Sequence, residues 1–347
     1  MAIGPRASAR GIESPPGGPR HPSPISAEVC GAALKAEIDR LPASQRLVDS
    51  GGFHVYWAHA KQIQLVMQEI GRLRELTFRA VGEGSGNSSD IDSFDAYYLH
   101  MFVWDAKANT LVGAYRLGLV EEILSHYGKQ GLYTHSLFRY GPRMLDMLKP
   151  ALELGRSFVR AEYQRSFAPM LLLWRGIARF IESFPQYAVL FGAVSISNDY
   201  SRASRQLMVE YLAAHMAETR MAMQVKPRRP FRYQRRRSAA DRQRCPESID
   251  ELSRTITQIE PDHKGIPVLL RQYLRLGARI LAFNVDCEFG NVLDGLMVVD
   301  LRRLEPALLA RYMGRSAMIG FRAHHGLDSD LTDCAADASS NPPVSTP

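Results

Sequence analysis

The chain has 347 residues, 46% of them apolar and 23% charged, with a formal net charge of +7, enough apolar matter for one large domain or two modest ones. Its four cysteines, Cys30, Cys245, Cys287 and Cys334, stand far apart with no Cys-x-x-Cys pair, which argues against a disulfide framework or a zinc site and fits a reducing compartment. No stretch reaches the ~18 apolar residues of a membrane-spanning helix and the start lacks an apolar h-region, so the expected location is cytoplasmic, with a peripheral place on the inner membrane surface left open.

In chain order, residues 1 to 44 carry Pro-Pro, Gly-Gly and Ser-Pro steps and few large apolar side chains, so they are expected to be a disordered tail. Phe53 to Ala58 reads as a strand. From Lys61 to Phe78, Ile63, Val66, Met67, Ile70 and Leu73 recur at helical spacing and predict an amphipathic helix. Ala80 to Asp92, rich in Gly, Ser and Asn, reads as a loop. Tyr98 to Trp104 and Thr110 to Leu117 form a hairpin about the turn Asp105-Ala-Lys-Ala-Asn109. Glu121 to Met147 is mixed and partly helical.

The next stretch organises the rest. Glu153 to Val159 reads as a strand, and Met170 to Phe180 as a helix with Pro169 in its first turn, where proline is tolerated. Between them Tyr163-Gln164-Arg165-Ser166 precedes unpaired helix N–H groups, a combination suited to an anion. A strand follows at Ala188 to Ser197, then a helix at Ser201 to Met223. Helices at Ser248 to Ile259 and Pro267 to Leu276, strands at Arg279 to Val285 and Gly295 to Leu301, and a short helix at Pro306 to Tyr312 complete the order. Residues 327 to 347 are a polar tail expected to be disordered. No internal repeat is present. The order predicts one mixed α/β domain over residues 45 to 326, a sheet with helices on both faces.

The charge is local. Between Val225 and Arg244 lie Lys226, Arg228, Arg229, Arg232, Arg235, Arg236, Arg237, Arg242 and Arg244 against Asp241, so this segment carries +8 and the remainder is close to neutral. The loop expected over 225–247 is either a solvated linker or a surface for something acidic, anionic lipid headgroups or an acidic protein. Phe231 and Tyr233 are its interleaved aromatics and no nucleic-acid motif accompanies them, so nucleic acid is set aside.

Four local pairs stand out: Arg74 with Phe78, Asp92 with Asp95, Gly113 with Arg116, and Glu153 with Arg156. Singly, each has a structural explanation: a helix polar face, turn caps, an ordinary ion pair at a strand end. Three-residue spacing would put Glu153 and Arg156 on opposite faces of a regular strand, and a bulge at Gly155 would bring them together. His100-x4-Asp105 and His325-x4-Asp330 match a glycerolipid acyltransferase motif but lack its partner blocks and are read as chance. No histidine falls in His-Glu-x-x-His and no metal cluster is expected.

Taken in order, Arg74-x3-Phe78, Asp92-x2-Asp95, Arg116 in Val-Gly-Ala-Tyr-Arg-Leu, and Glu153-x2-Arg156 resemble the signature of the acyl-homoserine-lactone synthases. The layout is also similar to the ornithine-lipid N-acyltransferases, both being variants of the GNAT acyltransferase fold. It resembles most the bacterial N-acyltransferase-like group that carries a hemolysin label, through the runs beginning at Leu73 (Leu-Arg-Glu-Leu-Thr-Phe-Arg-Ala-Val-Gly-Glu-Gly), Glu153 and Leu190, and Phe283-Asn-Val-Asp. It covers about Gly52 to Gly326.

The resemblance implies a GNAT-like, mostly antiparallel sheet. It implies an N-acyltransferase that moves a long, 3-hydroxylated or plain acyl chain to the amine of an amino acid such as ornithine or glycine. The donor would be acyl carrier protein, through its phosphopantetheine thioester, or acyl-CoA, with no permanently bound cofactor. Within it Glu153 is the expected base with Arg156 orienting it, and Asp95 stands next in line. Asp92 and Asp95 would bind the acceptor ammonium, and Arg116 and Arg74, beside Phe78, its carboxylate. Arg165 and Ser166 would hold the phosphopantetheine, and Arg235, Arg236 and Arg237 would dock the acidic carrier. The synthases' tryptophan is absent, its place being Val81-Gly82-Glu83-Gly84, which weighs against lactone formation. The Gln/Arg-x-x-Gly-x-Gly/Ala loop of acetyl-CoA enzymes is also missing. The rival expectations are a lactone synthase and a non-catalytic, membrane-associated binding protein.

Overall fold

The computed structural model describes residues 22–165, 168–232 and 246–327. Its centre is an eight-stranded sheet built from β1 (Arg46–Ser50), β2 (Phe53–His59), β3 (Leu99–Asp105), β4 (Thr110–Leu119), β6 (Ala151–Val159), β7 (Val189–Ile196), β9 (Arg279–Asp286) and β10 (Val292–Asp300). Their order across the sheet is β1-β2-β3-β4-β6-β7-β10-β9. β5 (Phe138–Tyr140) and β8 (Val225–Pro227) form a separate two-stranded pair. Every neighbour in the large sheet is antiparallel except β6 and β7, which are parallel. The reason is the crossover through α6 (Ala168–Ser183), since a helix between two strands returns the chain to the same end. This is the expected mixed, mostly antiparallel sheet with helices on both faces.

Alternation along the strands decides what each face receives. Leu152 and Leu154 of β6, Leu190 and Val194 of β7, and Leu293 and Met297 of β10 join one core with α6, α7 (Arg202–His215), α9 (Ile249–Ile259), α10 (Val268–Arg275), α11 (Pro306–Met313) and α12 (Arg315–His324). Leu172, Leu173, Ile177, Phe180 and Ile181 of α6 are its central stripe. The opposite face is shared. α1 (Gly31–Ile38) and α2 (Gln64–Arg79) cover β2–β4, and α3 (Val120–Tyr127), α4 (Tyr133–Leu137), α5 (Met144–Leu148) and the β5–β8 pair cover β6, β7 and β10.

Several elements depart from expectation. Residues 31–38 are helical, not tail: Leu34 and Ile38 are buried against the α2 cluster, and a Cβ on Gly31 would collide with the Asn109 carbonyl. Two apolar anchors in eight residues are too few to show as a period. β1 and α12 lie in stretches where the sequence predicts no element. The helix expected over 201–223 breaks into α7 and α8 (Thr219–Ala222) because Ala217 bridges to Ile280 of β9. β10 begins at Val292 rather than Gly295, the earlier start being hidden by Asp294. The basic segment is not all loop: β8 pairs with β5, and Arg229 exchanges hydrogen bonds with Asn284 and Val285. Its remainder, with Arg235, Arg236 and Arg237, lies outside the described residues, as do Ser166 and residues 328–347.

Two irregularities set β6 apart from its neighbours. Against β4, Ala114 faces Phe158 and Arg116 faces Gly155, so β6 carries one extra residue, a bulge at Arg156–Ser157 with Arg156 at φ 51°. Against β7, pairing ends at Glu153↔Phe191, and the strands part. At the hinge of that parting a Cβ on Gly192 would collide with the Leu154 carbonyl. Gly192→Ala is therefore expected to lower stability by ~1–3 kcal/mol, the usual cost of overpacking. Gly155→Ala, whose added carbon meets nothing within 4 Å, is expected to leave the urea midpoint nearly unchanged. Equal midpoints for the two variants would contradict the close contact.

Candidate functional site

Where β6 and β7 part, a cavity of about 620 Å³ opens. Phe78 lines it from the end of α2 and Val81 from the turn after it, Phe158 and Val159 from β6, Met170 from α6, Val268 and Leu269 from α10, and Phe289 and Val292 from the β9–β10 hairpin. Its polar lining includes Glu83, Tyr133, Arg156, Asp286 and Asp294, with Gln164 and the exposed Arg165 just before α6.

Arg156 owes its place to the bulge. Its guanidinium lies between the rings of Phe289, 4.1 Å from the centroid, and Tyr133, 4.9 Å away. Nε is 3.1 Å from Asp90 Oδ2, an Nη is 3.5 Å from Asp92 Oδ2, and another donates to Tyr133 Oη at 3.2 Å. Burial works against its charge, but Tyr133, Asp90 and Asp92 outweigh it and hold the group protonated.

Behind Arg156 the expected residues form one buried network. Arg116 Nη1 meets Asp92 Oδ1 at 2.6 Å and Asp95 Oδ1 at 3.2 Å, while Arg74 Nη1 meets Asp95 Oδ1 at 2.8 Å. Asp92 caps the short turn Ser93–Ala96, accepting from the N–H groups of Phe94 and Asp95, and Asp95 Oδ2 accepts from Asp92 N–H in return, a reciprocal capping box. Arg116 is enclosed by the rings of Phe94, Tyr98 and Tyr133, at 5.6, 5.1 and 5.0 Å. Burial alone would raise the Asp95 carboxyl, but Arg74 and Arg116 outweigh it and hold it well below the usual carboxylate range. His100, lowered to about 4 by burial and Arg74, sits with a ring nitrogen 2.9 Å from the Asp95 carbonyl as a neutral member of this network.

The structure brings Arg74, Arg116, Asp92 and Asp95 together, but the partners differ from those expected. Arg74 is 0% exposed and Arg116 1%, and neither lines the cavity; their acids are Asp92 and Asp95, the residues expected to take the ammonium. Glu153 and Arg156 are not an ion pair. The Glu153 carboxylate accepts from Thr134 N–H at 2.6 Å, from Tyr133 N–H at 3.2 Å and from the Tyr98 hydroxyl, capping the first turn of α4. Burial raises its pKa, and it is not among the cavity-lining residues. Tyr133 joins the two, giving its N–H to Glu153 and accepting from Arg156 at its hydroxyl. Of the expected site residues, Phe78, Arg156 and Arg165 line the cavity.

Glu83, Asp286 and Asp294 line the cavity, although no role was expected of them from sequence. Glu83 Oε2 accepts from Ser195 Oγ at 2.8 Å, and burial raises its carboxyl. Asp294 faces Ser195 across β7–β10, and Asp286 faces Val292 across β9–β10. A signal existed: Asp294 is the one carboxylate within Val292-Leu293-Asp294-Gly295-Leu296-Met297-Val298-Val299, and an acid inside a central strand is rarely there for stability. Among the described residues no group of three or more His, Cys, Asp or Glu could hold a metal ion, and no helix is long and apolar enough to cross a membrane.

Residues 73–174 match the family model of the acetyltransferase (GNAT) domain, a span that runs from Leu73 beside Arg74 through Arg156 to the start of α6. A glycine N(alpha)-acyltransferase of Phocaeicola vulgatus is 29% identical over 280 residues, 77% of this chain and 84% of that one. An L-ornithine N(alpha)-acyltransferase of Brucella abortus is 26% identical over 263 residues, 74% of this chain and 83% of that one. A solved CoA-dependent acyl-homoserine lactone synthase covers 80% of this chain and 92% of its own at 12% identity and a TM-score of 0.34, a likeness too loose to bear on function. The chain carries a GNAT domain and is an acyltransferase.

Removing the Arg116 charge leaves Asp92 and Asp95 buried beside fewer cations. Arg116→Met is expected to lower the unfolding free energy by ~3–5 kcal/mol, the cost of breaking a buried pair. Urea unfolding at neutral pH tests this, and a variant as stable as the parent would show that Arg116 is spare charge kept for a ligand.

Proposed function

We propose that the protein transfers a long acyl chain from a phosphopantetheine thioester to the α-amine of an amino acid, with glycine and ornithine the first candidates, giving an N-acyl amino acid lipid. The observation that carries this reading is the cavity between the parted β6 and β7. Beyond Glu153 and Phe191 the strands no longer pair, so an edge of β6 is free to hydrogen-bond an extended ligand. A pantetheine arm, with its amides, is such a ligand. Phe78, Phe158, Met170, Val268 and Leu269 suit an alkyl chain, each buried methylene contributing about 0.8 kcal/mol. Arg165 stands before α6, where a phosphate meets both its charge and the helix N-terminus.

In this reading the amine adds to the thioester carbonyl, the C–N bond forms, the C–S bond breaks and the thiol leaves. Arg156 offers its charge to the acceptor's carboxylate from within the cavity. Arg74, Arg116, Asp92, Asp95 and Glu153 act as positioning residues, holding Arg156 and Tyr133 in place. The names of the glycine and ornithine relatives support the choice of acceptor. Acyl carrier protein is the proposed donor because Lys226, Arg228, Arg229 and Arg232 are exposed at the start of the basic segment and would steer an acidic partner.

Purified protein, acyl carrier protein loaded with a long chain, and single amino acids should give an N-acyl amino acid by mass spectrometry. If no amino acid is acylated from either the carrier or acyl-CoA, the reading fails. Glu153→Gln keeps one capping oxygen for α4 and is expected to lower turnover about tenfold through Tyr133 while leaving the shape of the pH profile unchanged. A profile that loses its acidic limb in this variant would return the base to Glu153.

A further inference from the structure

The inner cavity holds more negative charge than binding the donor and the acceptor's carboxylate requires. Glu83, Asp286 and Asp294 line it from three separate elements, the loop after α2, β9 and β10. Sheet pairing brings two of them together. Asp294 stands opposite Ser195 on β7 and Asn284 on β9, and Asp286, two residues beyond Asn284, points from the same face. The hydrogen bond from Ser195 to Glu83 draws the third carboxylate to this place. Asp294 is 6% exposed, yet among the described residues it has no hydrogen-bond partner. Arg156, the cation facing it, turns its Nε and one Nη toward Asp90 and Asp92 rather than toward Asp294. A carboxyl that lines the cavity and receives no protein donor is left for water or a ligand to pair with.

We infer that Glu83, Asp286 and Asp294 form the ammonium site for the acceptor, and that Asp294 takes its first proton. The identity of the cation rests on the acyl-transfer reading. An α-ammonium entering between the carboxylates gives one proton to Asp294 and becomes a neutral amine. Its nitrogen adds to the thioester carbon, and its second departing proton goes to the thiolate sulfur as the C–S bond breaks. Asp294 then returns its proton to solvent. The titratable and charged groups facing Asp294 are Asp286 from β9, Glu83 from the loop after α2, Arg156 from β6 and Tyr133 from α4. Burial, then Asp286 and Glu83, push its carboxyl well above the usual carboxylate range, against the pull of Arg156. That moves it towards the ~8 of an α-amine and makes the transfer less uphill.

The test is equilibrium binding of radiolabelled glycine and L-ornithine to the full chain, with and without a non-transferable acyl-pantetheine thioether, followed by kinetics. The parent is expected to bind at least one of the two, and Asp294→Asn and Asp286→Asn to weaken that binding by ~10-fold or more. Asp294→Asn should also lower kcat/KM for the acceptor by ~10²-fold. Activity in the parent is expected to rise with pH as Asp294 loses its proton, and in Asp294→Asn that limb should give way to one that follows the free amine's own titration near ~8. Melting temperature checks folding: Asn is close in shape and removes a buried, repelled charge, so it should not fall. Binding that is absent from the parent under both conditions, or equal in parent and variants, overturns the site. If the acceptor binds and the variants lose it while the parent makes no N-acyl product, the ammonium site stands, and the acyl-transfer reading and the proton step fall.

Discussion

The site depends on one extra residue in a strand. β6 has two residues, Arg156 and Ser157, where β4 has one, and this bulge follows soon after the last pair with β7 at Glu153. The left-handed backbone at Arg156 belongs to the same irregularity. That conformation is uncommon outside glycine and persists only where surroundings enforce it. Here the enforcement is visible: two aromatic rings, two aspartates and a tyrosine hydroxyl hold the guanidinium. The bulge and the parting of β6 from β7 thus create the cavity and supply its cation together.

Behind Arg156 the chain buries arginines and aspartates that a core would ordinarily exclude. Removing such charges from water costs more than a single pair returns, and replacement by apolar residues is often neutral or better. The network here shares its costs. Asp95 serves Arg74, Arg116 and a backbone N–H, Asp92 serves two arginines and a turn, and Arg116 is also faced by three rings. It ties α2, the turn at Ser93–Ala96, β4 and β6 to one another, so its geometry fixes Arg156 relative to the sheet. Glu153 does the same for α4 from the other side, through Tyr133. Such positioning can matter to rate as much as a reacting group, because small displacements of bound groups cost large factors.

Much of this was legible in sequence, and the parts that were not have physical causes. α2, α6 and the hairpin around Asp105–Asn109 appear where periodicity placed them, since burying one face is the stronger constraint. The membership of the Arg–Asp set came from the resemblance to the acyl-homoserine-lactone synthases, since each pair alone has an ordinary explanation. Its pairing was not legible, because Asp92 is closer in sequence to Asp95 than to Arg116 or Arg156, and only the sheet register makes the cross-links. Asp90, which holds Arg156, lies in a stretch whose composition says only loop. Glu83 and Asp294 were invisible as a pair because they lie on distant elements brought together at Ser195. The α1 helix offered too little apolar surface to register.

In the proposed reaction, acyl transfer takes place between the parted β6 and β7. A crystal structure of the protein with a non-hydrolysable acyl-pantetheine thioether would show whether it does. The pantetheine is expected along the free edge of β6, the chain against Phe78, Phe158 and Met170, and the thioether carbon facing the Arg156 and Asp294 end. A ligand seated instead in the second cavity, about 540 Å³ beside Gln64, Met67 and Asp95, would contradict it.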